Sequence, residues 1–533
     1  MALTAILGRD PSLCLNFRMT KLSTPLTWDQ LLNAGRRASR SGSSATAQTQ
    51  PIVRTETERD GDRILFSTPL RRLDDKTQVF PLEQHDSVRN RLTHSHEVAS
   101  LARSIGTYLA FGPLAGRIPK ALLPERNLPA MLHAIALVHD LGNPPFGHQG
   151  EVAIQQWFAR SPQILAAVQA AGGTAQGNQP LTEAMRNDFL KFEGNAQTFR
   201  LVSRLQIVND DRGLNLTFGT LSALLKYTVP SDKAKGRTAT YAGCRKHGYF
   251  QSEAHIVQDV RDATGVSETV RHPLTYIMEA CDDIAYSVID AEDALKKGLA
   301  SFPDLLEFLQ GEPNCEQDDA STIVQKDLLR TAVERGRADR EELRTSSLDS
   351  PLSPSELNDV SMQKFRALVI SDMVKAVSDA FVDNLDSMLN GTFTGDLMSA
   401  SRAALLTRQL KEFDLRVAYR NREVLRLEAH GSEVIHSLMD VFWRAIISRK
   451  KPDDPSSERT TAEATYVYAR ISENYRRAFE AKGAYLPSTP SMPLRYRECQ
   501  LLTDMIAGMT DRFAVSLYED LRSQGIVRPA QGS

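Results

Sequence analysis

The chain has 533 residues, 41% hydrophobic and 24% charged, enough to bury a large core without staples. That excludes a disordered tail, a collagen-like fibre and a disulfide mini-scaffold. Sixty-four basic residues stand against 66 acidic ones, a net charge of −2, so no global field pulls the chain toward nucleic acid or an anionic membrane.

The N-terminal residues Met1 to Leu15 lack the basic stretch and long apolar run of a secretory leader. Pro25 to Ala34 can form a short helix carrying Trp28. Arg36 to Gln50 is small, polar and Ser/Ala-rich and reads as a flexible loop. Asn16 to Arg54 carries six basic residues against Asp29 alone, a solvated arm or an anion contact. From Asp60 to about Gly298 a helical pattern dominates. Leu214 to Phe218, with Tyr249 and Phe250, could form a small ribbon. Arg337 to Asn358 and Lys450 to Thr460, each with two prolines, read as loops. Around them apolar residues recur at helical spacing, as in Phe365, Leu368, Val369, Met373 and Val374, and again from Leu501 to Leu521. The expected class is all-α with at most a small β ribbon. Three regions are expected: an arm and loop at 1–55, a core at 56–300 and a C-terminal helical region at 301–533.

Five scattered cysteines (Cys14, Cys244, Cys281, Cys315, Cys499) include no CxxC pair, against a disulfide framework or a zinc–thiolate site and in favour of a reducing, cytoplasmic setting. No apolar run approaches the roughly 18 residues of a membrane span. GxGxxG and GxxxxGK[ST] are absent, so any nucleotide is held without a Rossmann or P-loop cradle.

Three segments carry chemistry. In Arg91-Leu92-Thr93-His94-Ser95-His96-Glu97-Val98, His94 shares the helical face of Val98, Leu101, Ala102 and Ile105, while His96 points elsewhere. His94 on such a face suits a hydrogen-bonded core histidine or a metal ligand. Next, an apolar helix from Met131 to Val138 ends in His139-Asp140, and Gly142 with Pro144-Pro145 breaks it. A new helix near His148 puts His148 and Glu151 three apart on one face. Finally, a helix from Pro273 to Lys296-Lys297-Gly298 repeats Asp282, Tyr286 and Asp290 at i, i+4 and i+8. These acids belong either to a solvated boundary face or to a site. Together His94, His139, Asp140 and Asp282 offer two imidazoles and two carboxylates. That set suits Mg²⁺, Mn²⁺, Fe or Zn with positions left for water and a phosphate oxygen.

The H…HD…D pattern resembles HD-domain phosphohydrolases. Arg63 to Leu73, Asp75 to Pro81, Arg91 to Ser95, His139 to Glu151, Phe192 to Gln197, Asp282 to Tyr286 and Gly508 to Asp511 resemble the deoxyguanosine triphosphate triphosphohydrolases, in the expected order from about Trp28 to Leu521. The resemblance implies hydrolysis of a dNTP at the α-phosphorus, dGTP first, to deoxynucleoside and intact triphosphate. It implies metal ligands His94, His139, Asp140 and Asp282, and a catalytic His148 paired with Glu151. Gln78, Tyr286 and Asp290 then lie near the sugar, Arg91, Lys226 and Tyr227 near the triphosphate, and Asn195 near the site. The implied cofactor is a divalent metal, Mg or Mn first, with Fe, Co, Ni or Zn as alternatives. Asn143-Pro144-Pro145 and Met278-Glu279-Ala280 look more like the enterobacterial branch, which implies a hexamer rather than a tetramer. Some relatives bind single-stranded DNA, which the basic arm leaves open. Two other readings remain: an HD enzyme for another nucleotide, or a silent nucleotide- or DNA-binding protein.

Overall fold

The computed structural model describes residues 22, 24–37, 53–82, 87–166, 180–206, 212–311, 319–346, 351–480 and 492–527. Most of the Ser/Ala-rich segment at 36–50 lies outside them. Among the described residues the fold is all-α, and only isolated bridges such as Thr77 with Asn90 occur.

The central element is the Pro273–Lys296 helix. Proline at its first turn and the His272 side chain, accepting from the Leu274 N–H, start it. It packs against the Arg91–Phe111, Pro124–Val138, Pro354–Leu389 and Ala404–Asp414 helices. The Arg91–Phe111 helix is opened by Asn90, whose side chain accepts from the Thr93 N–H, and stops at Gly112. Its Val98, Ala102 and Ile105 are buried, as the 3.6-residue period requires. A second group gathers on the Arg422–Ile447 helix, which packs against Gly147–Arg160, Leu494–Ala507 and Asp511–Ser523. One apolar core cluster runs from Leu26 to Ile526.

Several expectations need correction. The segment 337–358 is mostly helix: Ala320–Ser346 continues through Arg337, and Pro354–Leu389 begins with Ser353 as its cap. Pro354 sits at a helix start, where its missing N–H costs nothing, so it opened an element rather than breaking one. No ribbon joins Leu214–Phe218 to Tyr249 and Phe250; the Thr217 hydroxyl instead caps a helix, Phe218–Leu224. The Pro25–Ala34 helix shrinks to one turn, Trp28–Leu31. The 450–460 segment is a loop, closed by an Arg449–Arg459 bridge.

Candidate active site

Three of the helices converge on one point. His94 comes from the Arg91–Phe111 helix, His139 and Asp140 from the end of Pro124–Val138, and Asp282 from the middle of Pro273–Lys296. Donor atoms of His94, His139 and Asp140 lie within 4.8 Å of one another. Asp282 Oδ1 lies 3.2 Å from His94 Nε2 and 3.5 Å from His139 Nε2. His139 Nδ1 is 2.7 Å from the Ala136 carbonyl, which can only accept, so Nδ1 donates there and Nε2 is the ring nitrogen that faces the acids. That Nε2 is buried and has no hydrogen-bond partner. Beside Asp140 and Asp282, whose charges outweigh burial and raise the ring to about 9, a buried imidazole nitrogen turned toward two carboxylates and a second imidazole is the arrangement a divalent metal satisfies by displacing the proton.

Charge is balanced around this corner. Burial alone would raise Asp140, but Arg91 and His139 outweigh it and hold the carboxyl below its ordinary value. Burial likewise opposes the ionisation of Asp282, and His139, His94 and Lys226 hold it well below. Arg91 ion-pairs with Asp140. Lys226 Nζ sits 3.7 Å from Asp282 and 3.8 Å from Glu279. Burial pulls this ammonium down, but Glu279, Tyr227 and Asp282 raise it well above the usual range. Tyr227, whose hydroxyl burial raises, feels Lys226, Glu193 and Lys246. The Asn143 amide donates to Asp140 Oδ1 at 2.7 Å.

One turn farther on, His148 Nδ1 is 2.9 Å from Glu151 Oε2. The hydrogen bond to Glu151 raises the imidazole against the opposing effect of burial. Glu151 is buried, whereas the His148 side chain is 66% exposed, free to meet a ligand. The Gly194 N–H donates to Glu151 Oε1 at 2.7 Å. A Cβ at Gly194 would lie 2.1 Å from Asn143 Oδ1 and 2.8 Å from Glu151 Oε1, and one at Gly142 would lie 2.2 Å from the Gly194 carbonyl. These two glycines let the 139–151 turn press against the start of the Gly194–Arg200 helix.

The Asn195 amide donates to Glu193 at 2.8 Å. Lys246 joins this group, 2.7 Å from Glu193 and 3.8 Å from Glu151. Burial, then the Glu151 charge, pushes Glu193 up to about 7. On the other side, Tyr286 stacks on Tyr419 with ring centres 5.8 Å apart. The Tyr419 hydroxyl donates to Asp290. Asp414 is buried nearby with both carboxyl oxygens unpartnered. Gln78 has a buried, unpartnered Oε1. Sequence reasoning gave Glu193 no role within the 192–197 string and missed Lys246, Tyr419 and Asp414 altogether. None sits in a ligand-like string, and Tyr419 lies 129 residues from Asp290.

An HD domain family model matches residues 91–173. A deoxyguanosinetriphosphate triphosphohydrolase-like protein of Listeria innocua is 34% identical over 498 residues, covering 93% of this chain and 99% of the relative. A protein of the same name from Synechocystis is 30% identical, again over 93% and 99%. A deoxyguanosinetriphosphate triphosphohydrolase of Klebsiella pneumoniae is 32% identical, over 89% of this chain and 96% of the relative. These similar identities do not single out the enterobacterial branch. With its HD domain and near full-length relatives, the chain belongs to the deoxyguanosinetriphosphate triphosphohydrolase family.

Proposed function

We propose that the protein hydrolyses dGTP, and other dNTPs more weakly, to deoxynucleoside and inorganic triphosphate, and so controls dNTP pools. The carrying observation is the His148–Glu151 pair, placed one turn beyond a corner of two buried imidazoles and two half-buried carboxylates with an unsatisfied His139 Nε2. His94, His139, Asp140 and Asp282 are the residues that would hold the metal. A divalent ion there supplies a polarised phosphoryl group and a more acidic bound water.

The chain's own residues do the rest. Arg91 and Lys226 supply counter-charge to the triphosphate, with Tyr227 beside them. Water adds to the α-phosphorus, the bond from phosphorus to the 5′-oxygen breaks, and the leaving oxygen needs a proton. His148, whose hold on a proton the Glu151 bond strengthens, is the donor. Tyr286 offers a ring face to the deoxyribose, and Gln78 and Asp290 offer polar atoms to its hydroxyl. Asn195, held by Glu193, is a further substrate contact.

Cys244, Cys281 and Cys499 are buried free thiols, in keeping with a reducing compartment. No helix among the described residues is long and apolar enough to cross a membrane. We assign the protein to the cytoplasm as a homo-oligomer, a hexamer before a tetramer, with single-stranded DNA as a further ligand to test.

The test is product analysis with dGTP and Mg²⁺ or Mn²⁺, beside His148→Ala. Deoxyguanosine plus intact triphosphate, lost in the variant, is the expected result. Diphosphate or monophosphate would indicate another HD phosphohydrolase. No turnover with single or paired dNTPs would leave a binding protein.

A further inference from the structure

We propose that Asp511, at the start of the last long helix, is a positioning residue that aims His148 and Gln78 from a distance. The proposal rests on the catalytic reading of His148 above. Asp511 opens the Asp511–Ser523 helix and is 2% exposed. Its Oδ1 accepts the Phe146 backbone N–H at 3.0 Å. Its Oδ2 accepts the Thr77 N–H at 3.0 Å and the Thr77 hydroxyl.

Both anchored residues abut the site. Phe146 is the residue before the Gly147–Arg160 helix and holds a left-handed backbone, φ 61°. A side chain larger than glycine or asparagine rarely sits there without outside support. The carboxylate supplies that support at the only backbone N–H Phe146 has. The conformation of Phe146 sets the direction in which the helix starts, and His148 is its second residue. Thr77 directly precedes Gln78, so the second carboxyl oxygen fixes that side chain's origin as well.

Neighbouring contacts reinforce the joint. Lys76 Nζ donates to the carbonyls of Asn143 at 2.6 Å and Ala507 at 2.8 Å. Arg72 donates to the Gly508 carbonyl at 3.0 Å. Three stretches far apart in sequence (72–77, 143–148 and 507–511) therefore meet at one point, where the Asp511 carboxylate and the Lys76 ammonium each touch two of them from the third, and only the carboxylate holds the Phe146 N–H. Asparagine cannot replace it: one oxygen can serve Phe146, but the amide NH₂ would then face the Thr77 N–H, donor against donor.

The experiment uses the full chain with ¹⁵N-labelled histidine, the His148 ring signals being assigned with His148→Gln. Asp511→Asn is compared with Leu521→Ala, which loosens the same helix at a fully buried apolar position without touching the joint. The expected result for Asp511→Asn is a kcat at least tenfold lower, KM within about threefold, unchanged metal content, and His148 ring shifts moved toward a free imidazole. Leu521→Ala should lower Tm and leave the His148 shifts in place. Should Asp511→Asn not fold, Thr77→Val removes one of the three donors and should move the shifts the same way by less. Unchanged His148 shifts in the Asp511→Asn protein, or in Thr77→Val if that is the variant obtained, would overturn the proposal. Equal shifts in Leu521→Ala would also overturn it, since general loosening would then suffice. The ring shifts need no substrate. If the wild type does not turn over dGTP, the catalytic reading falls while the positioning claim is still decided.

Discussion

The two ends of the site use the same residue type in opposite ways. At the metal corner Asp140 and Asp282 are ionised, because Arg91, His139, His94 and Lys226 outweigh the cost of burial. At the proposed sugar corner Asp290 and Asp414 are more fully buried, and both are pushed well above the ordinary carboxyl value. Burial is the main cause there; the Tyr419 hydroxyl and Arg89 at Asp290, and Lys411 at Asp414, oppose it without overcoming it. Burial alone does not decide a carboxyl's charge; the neighbouring cations do. The first corner is fitted to hold a cation. The second holds carboxyls that burial inclines toward the protonated form, able to donate as well as accept, which suits an uncharged hydroxyl-bearing ligand.

The sharpest way to break this contrast is to remove a metal-corner ligand. His139→Ala should abolish bound metal and lower turnover on the order of 10⁴-fold, read by elemental analysis beside kinetics; full metal content in the variant would show that the cation sits elsewhere. His148→Ala should cost about 10³-fold in kcat and keep its metal, since His148 lies outside the ligand set. Loss of metal there would merge two parts of the site that the geometry separates.

Asp290→Asn probes the other corner. KM for dGTP should rise about tenfold, the worth of one good hydrogen bond, with a smaller change in kcat. Its stability should also show the charge state. A carboxyl raised in the folded protein contributes most below its unfolded value near 4 and loses that contribution as pH rises through its folded value. The Tm of Asp290→Asn should therefore gain on the wild type as pH increases from about 4. A constant gap across that range would mean that Asp290 is an ordinary ionised acid. The smallest effect is expected from Glu151→Gln. Glu151 raises His148, so its loss lowers that value, and the acid form disappears at lower pH. The alkaline limb of the kcat profile should move acidward, with the optimum reduced only a few-fold. A shift toward alkali would reverse the proposed role of His148 as proton donor.

Much of the metal corner was legible because its ligands sit in short strings whose period matches the helix. His94 shares the buried face of Val98, and the Gly142 to Pro145 break sets His148 and Glu151 on a fresh helix. The sugar corner was half legible: Asp282, Tyr286 and Asp290 share a face by simple i+4 arithmetic, but Tyr419 and Asp414 reach them from another helix. Asn195 shows the same limit. Its string pointed to the site, yet only the fold shows that its amide binds Glu193. The prolines at 351 and 354 misled for a local reason, since the same residue ends one helix and opens another.

The sequence by itself determined the helical class, the H…HD…D pattern and the His148–Glu151 pair, because each rests on a helical period or a short string read locally. Tertiary structure alone decided which acids carry charge, where Lys246 and Tyr419 stand, and how Asp511 joins three distant stretches. Those properties depend on burial and on neighbours hundreds of residues away, and electrostatic energies follow distance in space rather than along the chain.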